Sequence, residues 1–456
     1  MSYSKLLHST LFAVFLCAIP LFCRIFAAPS PSTHPESNCF IMHYNSDAPV
    51  IKLIFDPLRT DWANFQAREL SYILDYADAK FIFHCVKAHH AHFFSLSAIL
   101  LLLASAALIH KELKKLYPEA HWGILLLPPL MYVCAFLGNT GFFRSSKPAV
   151  SFLLVGVFFT LAGILKTPEK YRSIFSLLPG IIFLHLLPGF DRIGFFIAAV
   201  CAAGGAFLLM ILSLKRFSQA NLNCTMLKKP LIILSLAALS SAILSLIYNF
   251  VIAPKIVMAL NNYHISFNFQ TFQTPSESFA EGLKFVLQNY GGFFLPTSSL
   301  SALIFGIFVT FSLGWITKRL ADQNPEKIVL PLAFAGIFIV SVFCSGMMIA
   351  RHPMIMALPL GNYFQVLGTA LIGIFAITLM EVTDQKIRQL MIIFAVTACL
   401  TPLLRSTVPY LQEKELHSLH KKSTAYTIEL LNDPEMKQEK VLPSSSRELI
   451  KFFRSN

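Results

Sequence analysis

About eleven apolar stretches, each long enough to cross some 30 Å of hydrocarbon as a helix, follow one another with little between them. They are Leu7–Ala28, Phe93–His110, Trp122–Phe143, Ala149–Leu165, Ile174–Phe190, Ile193–Leu214, Leu231–Ala253, Leu300–Ile316, Ile328–Ala350, Met354–Met380 and Leu390–Leu404. Backbone polar groups in lipid must be satisfied within the segment or by closure into a barrel. Runs of this length therefore predict an all-α integral membrane protein with about 11 transmembrane helices. Only 13% of the 456 residues are charged, against about 25% in soluble domains. Pro179-Gly180 and Pro188-Gly189 are expected to weaken the Ile174 span.

The net charge of +13 does not point to nucleic acid, because Lys and Arg fall in short clusters between the runs. With the N-terminus in the cytoplasm, the inner loops hold Lys111/Lys114/Lys115, Lys166/Lys170/Arg172, Lys215/Arg216/Lys228/Lys229, Lys318/Arg319/Lys327 and Lys386/Arg388. The short outer turns hold only Arg144, Lys147, Arg192 and Arg351. That asymmetry is the positive-inside pattern. It predicts a multi-pass protein of the inner (cytoplasmic) membrane, with an extracytoplasmic C-terminal tail. The Leu11–Phe26 run resembles a signal peptide, but Pro20, Arg24 and Phe26 suit a cleavage site poorly, so residues 1–28 are read as an uncleaved anchor.

This topology divides the chain into the anchor, a first outer loop (29–92), six helices (93–253), a second outer loop (254–299), four helices (300–404) and the tail (405–456). Cys39 and Cys85 of the first loop either pair on an oxidising side or stay free. In the same loop, Asp61 to Ala79 has no Pro or Gly and mixes apolar and charged residues at helical spacing. Asp61, Arg68 and Asp75 are seven apart and share a face, flanked by Phe65 and Tyr72. The spacing predicts an amphipathic helix on the membrane surface, its carboxylate-rich side toward water.

Carboxylates and bases on one side of a membrane suit sugar transfer from a lipid phosphate. A carboxylate deprotonates the acceptor hydroxyl, and Arg offers paired donors to the leaving phosphate. A divalent cation would also neutralise charge there. On this basis Asp61 and Asp47 are candidates for the base. Arg68, Glu69, Tyr72, Asp75, Arg144, Lys147, Arg192 and Arg351 are candidates for substrate binding.

The layout of anchor, long acidic outer loop and many further spans resembles the GT-C class of polyprenyl-phosphate-sugar-dependent glycosyltransferases. Asp61-Trp62 followed by Ala67-Arg68-Glu69-Leu70-Ser71-Tyr72 resembles the acidic-then-R-x-L pattern of some bacterial members. The resemblance implies a first-loop Asp as base or metal ligand, by position Asp47 or Asp61. It also implies a lipid-linked sugar donor and a glycan, lipid or protein acceptor. The paired Asp of many members is absent. The rival classes are a transporter or flippase for lipid-linked sugars, and a polysaccharide polymerase or ligase. A transporter would place charges inside the spans, where this chain has almost none.

Other features carry weaker expectations. His84, His89, His90 and His92 crowd the second span, with Cys85 among them. They are read as interfacial side chains, with a metal pair at His89 and His92 as the alternative. His185, inside a span, is expected to hydrogen-bond a neighbouring helix, and Asp191-Arg192 to pair with each other. Tyr263, Phe267, Phe269, Phe272, Tyr290 and Phe294 of the second outer loop are expected to form an interfacial aromatic belt, with Gly291-Gly292 as a hinge.

Overall fold

The computed structural model describes residues 3–27, 41–55, 67–87, 95–137, 146–213, 224–262, 275–294, 299–351 and 361–412. Every regular element among them is helical. In chain order they are α1 (Tyr3–Ala27), α2 (Val50–Phe55), α3 (Glu69–Lys87), α4 (Leu96–Leu116), α5 (Trp122–Leu137), α6 (Ser146–Lys166), α7 (Ile174–Phe190) and α8 (Arg192–Ser213). They continue with α9 (Cys224–Ile247), α10 (Ala253–Asn261), α11 (Pro275–Phe294), α12 (Ser299–Gln323), α13 (Val329–Arg351), α14 (Gly361–Glu381) and α15 (Gln385–Gln412). Among the described residues six helices are long and apolar enough to cross a membrane, and four shorter apolar ones join them. Large apolar side chains such as Phe175, Phe311, Ile339 and Leu390 point outward. Such an outward apolar surface suits a multi-pass membrane protein and would be a liability in water.

Among the described residues the three largest apolar centres lie between the long helices. One joins α6, α7, α8 and α9. A second joins α1, α4, α5, α6 and α14. The third joins α5 and α11 to α15. Some polar side chains of the bundle find partners on a neighbouring helix, as hydrocarbon favours. His110 of α4 meets Thr10 at 3.2 Å and Ser9 at 3.4 Å on α1. His185 meets Ser240 of α9 at 2.9 Å, the neighbouring-helix bond expected for it.

The prolines of α7 do not break it. Pro188 has no N–H to give the carbonyl of Leu184, four residues earlier. Ser241 of α9 donates its hydroxyl to that carbonyl at 2.6 Å instead. A hydroxyl from a neighbouring helix thus replaces the missing backbone donor, and α7 runs unbroken from Ile174 to Phe190.

Two expectations about the loops need correction. The second outer loop is largely helical. α9 continues through a π-helical turn, Tyr248–Ile252, into α10, making one apolar helix of 35 residues, Leu227–Asn261. α11 then packs closely against α12 and α13. A Cβ on Gly291 would strike the carbonyl of Ala302, and one on Gly306 the carbonyl of Leu287. Gly291 is therefore a close helix–helix contact inside α11 and no hinge. Tyr290 is fully buried beside Phe338, so it belongs to the core and not to a belt. Tyr263, Phe267, Phe269 and Phe272 lie outside the described residues, as does the tail beyond Gln412.

The second correction concerns α3. It begins at Glu69, so Arg68 precedes the helix, and residues 61–66 lie outside the described residues. Its charged side does not face water. Asp75 and Asp78 are buried, and Ile73, Ala77, Lys80 and His84 are exposed. Helical periodicity fixes which residues share a face but not which way that face points. Here the polar face finds partners inside the protein. Cys85, exposed to an intermediate degree, is a free thiol.

Candidate functional site: a buried ion cluster under the first-loop helix

Three chain segments bring charge to one place. Arg68 lies just before α3, and its carbonyl accepts from the backbone N–H groups of Ser71 at 2.9 Å and Tyr72 at 3.2 Å. Lys147 stands in the first turn of α6. Asp191 joins the end of α7 to the start of α8.

Asp191 organises the cluster. Its Oδ1 accepts from the backbone N–H of Ile193 at 3.1 Å, which caps α8. Its Oδ2 accepts from Lys147 Nζ at 2.5 Å and faces Arg68 Nη1 at 3.5 Å. Arg68 Nε also donates to the Tyr72 hydroxyl at 3.1 Å. All three charged residues are buried, with relative exposures of 5% for Arg68, 9% for Lys147 and 4% for Asp191. Burial raises the Asp191 carboxyl, but the charges of Lys147 and Arg68 and the hydrogen bonds from Lys147 and Ile193 outweigh it. They hold the group down at about 2. Asp191 is thus an anion across the physiological range.

Asp191 was expected to pair with Arg192, its chain neighbour. The side chain of Arg192 lies outside the described residues, and the contacts described for Asp191 are those to Lys147, Arg68 and the backbone N–H of Ile193. Sequence reasoning placed Arg68 and Lys147 among the substrate-binding residues and missed the carboxylate that joins them. The available signal was an Asp between two apolar runs at an N-cap position.

Along α3 a second set of polar contacts fastens the helix down. Ser71 Oγ donates to Asp75 Oδ2 at 3.4 Å. Asp78 accepts from the hydroxyls of Ser95 at 2.5 Å and Ser97 at 2.6 Å, and from the Ser97 N–H at 3.0 Å. Ser95 in turn caps α4 by accepting from the Ala98 N–H at 3.0 Å. Asp78 thus ties the first-loop helix to the start of a spanning helix. Burial raises its carboxyl to about 6, with Asp75 adding to the rise and the three hydrogen bonds resisting it. Between about pH 4 and 6 the folded protein keeps a proton that the unfolded chain has released. Stability therefore falls as pH rises through that window, by up to about 3 kcal/mol. Denaturation in detergent micelles at pH 4 and pH 7 should show the loss, and Asp78→Asn should flatten it.

Glu69, the first residue of α3, lies beside the ion cluster in sequence but makes different contacts. Burial raises its carboxyl to about 7, while hydrogen bonds from its own backbone and from Tyr248 resist the rise. Tyr248 opens the π-helical turn after α9. The surrounding wall is apolar: Ala67 packs against Ala253 and Val257, with Phe55 and Tyr248 closing the corner. Asn261 at the end of α10 donates to the carbonyl of Phe55 at 3.2 Å, so the extended α9–α10 rod reaches back to the first loop.

The remaining candidates are placed as follows. Tyr72 is buried against Arg68 and Asp75 against Ser71. Asp47 is exposed in the turn before α2. Asp61 and Arg144, with His89, His90 and His92, lie outside the described residues, as do the side chains of Arg192 and Arg351. Among the described residues no three His, Cys, Asp or Glu side chains come together as a metal centre would need. Neither a protein-family model nor a curated protein matches the chain.

Proposed function

We propose that the protein is a membrane glycosyltransferase that takes a sugar from a polyprenyl-phosphate carrier and passes it to a glycan, lipid or protein acceptor on the non-cytoplasmic face. One observation carries this proposal. The loop helix and the Arg68 that precedes it turn their ionic face into the bundle, where Asp191, paired with Lys147, meets Arg68. Burying ions is expensive, and an apolar contact would fasten a loop helix as well or better. Buried charges at the end of membrane helices are functional suspects by default.

In the proposed topology the six long helices, the four shorter apolar ones and α15 make the eleven passes. α6 then starts, and α7 ends, on the non-cytoplasmic side, at the level where a lipid phosphate sits. Arg68 and Lys147 supply positive charge to that phosphate, and Asp191 holds both in place when the site is empty. Asp47 and Asp61 remain candidates for the base or for holding a divalent cation. A flippase gains nothing from a fixed ion cluster capped by a loop helix at one end of the bundle.

The test uses the full chain in proteoliposomes with a panel of radiolabelled polyprenyl-phosphate hexoses. Cleavage of the sugar–phosphate bond with transfer to an acceptor is expected. Arg68→Lys keeps the charge and loses the two-pronged donor, and it should slow transfer about tenfold. Movement of label across the bilayer with the sugar–phosphate bond intact would identify a flippase and end the proposal.

A further inference from the structure

Asp191 is kept ionised between two cations, so the carboxylate at the centre of the ion cluster is a poor proton acceptor near neutrality. The Glu69 carboxyl is poised otherwise. Its Oε1 is sealed from solvent and has no hydrogen-bond partner among the described residues. A buried acceptor left without a donor is uncommon in folded proteins and calls for a reason. The other half of the pair, Tyr248, stands on a π-helical turn, a feature frequent at functional sites because it re-aims side chains out of helical register.

Resting on the glycosyl-transfer proposal, we infer that Glu69 is the catalytic base, its open Oε1 receiving the proton of the acceptor hydroxyl while Tyr248 holds the carboxyl in place. The acceptor oxygen forms its bond to the anomeric carbon as its O–H proton passes to Glu69. The bond between that carbon and the phosphate oxygen breaks, and its electron pair leaves with the polyprenyl phosphate. The phosphate gains one negative charge, the carboxyl becomes neutral, and no other reactant is needed. Burial sets the carboxyl near neutrality, where a base is strong enough to take a proton and still ionised enough to be ready.

Several ionisable groups stand on the elements meeting at this corner. They include Arg68, Asp75 and Asp78 on the α3 segment, with Lys80 and His84 further along it, Asp191 and Lys147 at the bundle end, Lys255 on α10, Lys52 on α2, and Tyr248 itself. Of these, Asp191 lies far below Glu69 and Asp78 lies lower.

The experiment compares the wild-type chain with Glu69→Gln, Tyr248→Phe, Asp47→Asn and Asp61→Asn in proteoliposomes. It reads transfer against pH and, separately, the infrared carboxyl stretch against pH. Wild-type kcat should rise with a midpoint near 7. Glu69→Gln should lose at least ~100-fold in kcat and its pH dependence, with KM for the lipid-linked donor little changed. Tyr248→Phe removes a bond to the ionised form, so the midpoint should move upward. If Glu69→Gln transfers within threefold of wild type on an unchanged profile while Asp61→Asn or Asp47→Asn collapses it, Glu69 is not the base and the transferase proposal stands. If the wild type cleaves no sugar–phosphate bond, both proposals fall. Should Glu69→Gln not fold, Tyr248→Phe decides: a carboxyl band in infrared that does not titrate near 7, or does not move, overturns the assignment.

Discussion

Asp191→Ala is expected to be among the most damaging single changes in the protein, costing about 3–5 kcal/mol of stability. The substitution removes the anion shared by Lys147 and Arg68 and leaves two cations buried beside each other. It also strips the cap from α8, a further loss of about 1 kcal/mol. Asp191→Asn separates the two effects, because the amide oxygen still caps the helix while the negative charge is gone. Thermal unfolding of the detergent-solubilised protein should rank wild type above Asn and Asn above Ala. Equal loss in both variants would mean that charge contributes all of it. Raised salt should not rescue either variant, since buried pairs are screened far less than surface ones.

The second large effect is expected at Gly306. A side chain there meets the backbone carbonyl of Leu287, as one at Gly291 meets that of Ala302. Flexible side chains can step aside, whereas a carbonyl held within a helix cannot. Gly306→Val should therefore push α12 away from α11 along the whole contact, at a cost near the upper end of the ~1–3 kcal/mol typical of overpacking. The two helices pack by close backbone approach, the arrangement small residues permit in membranes. Gly204 makes a sharp control, because nothing lies within 4 Å of a Cβ added there. Gly204→Val should leave the melting temperature within a degree or two of wild type, and a comparable drop in both variants would count against this account.

The spans were legible because hydropathy needs no knowledge of neighbours: α6, α8, α12 and α13 lie where apolar runs of membrane length predict them. The first-loop helix was legible as a helix but not in its direction. The pattern of Arg68, Tyr72 and Asp75 defines a face, and only the partners Lys147, Asp191, Ser95 and Ser97, distant in sequence, decide that it points inward. α11 was missed for a related reason. Its Glu277, Glu281, Lys284 and Asn289 made it read as loop, and the glycines that let it pack look like turn signals until Ala302 and Gly306 are set against them. Asp191 and Tyr248 were not legible as parts of the candidate site. One looked like a helix boundary and the other fell unremarked inside the Leu231–Ala253 run, and neither sequence neighbourhood records the π turn or the returning Lys147.

The hydroxyl that Ser241 lends to Leu184 has a bearing on how the chain is made. During synthesis α7 leaves the ribosome well before residue 241 does. Until then the Leu184 carbonyl has no donor, a state that hydrocarbon penalises by several kcal/mol. α7 should therefore remain at a hydrated or protein-lined part of the insertion machinery until α9 emerges, so that these helices are released into lipid together and not one at a time.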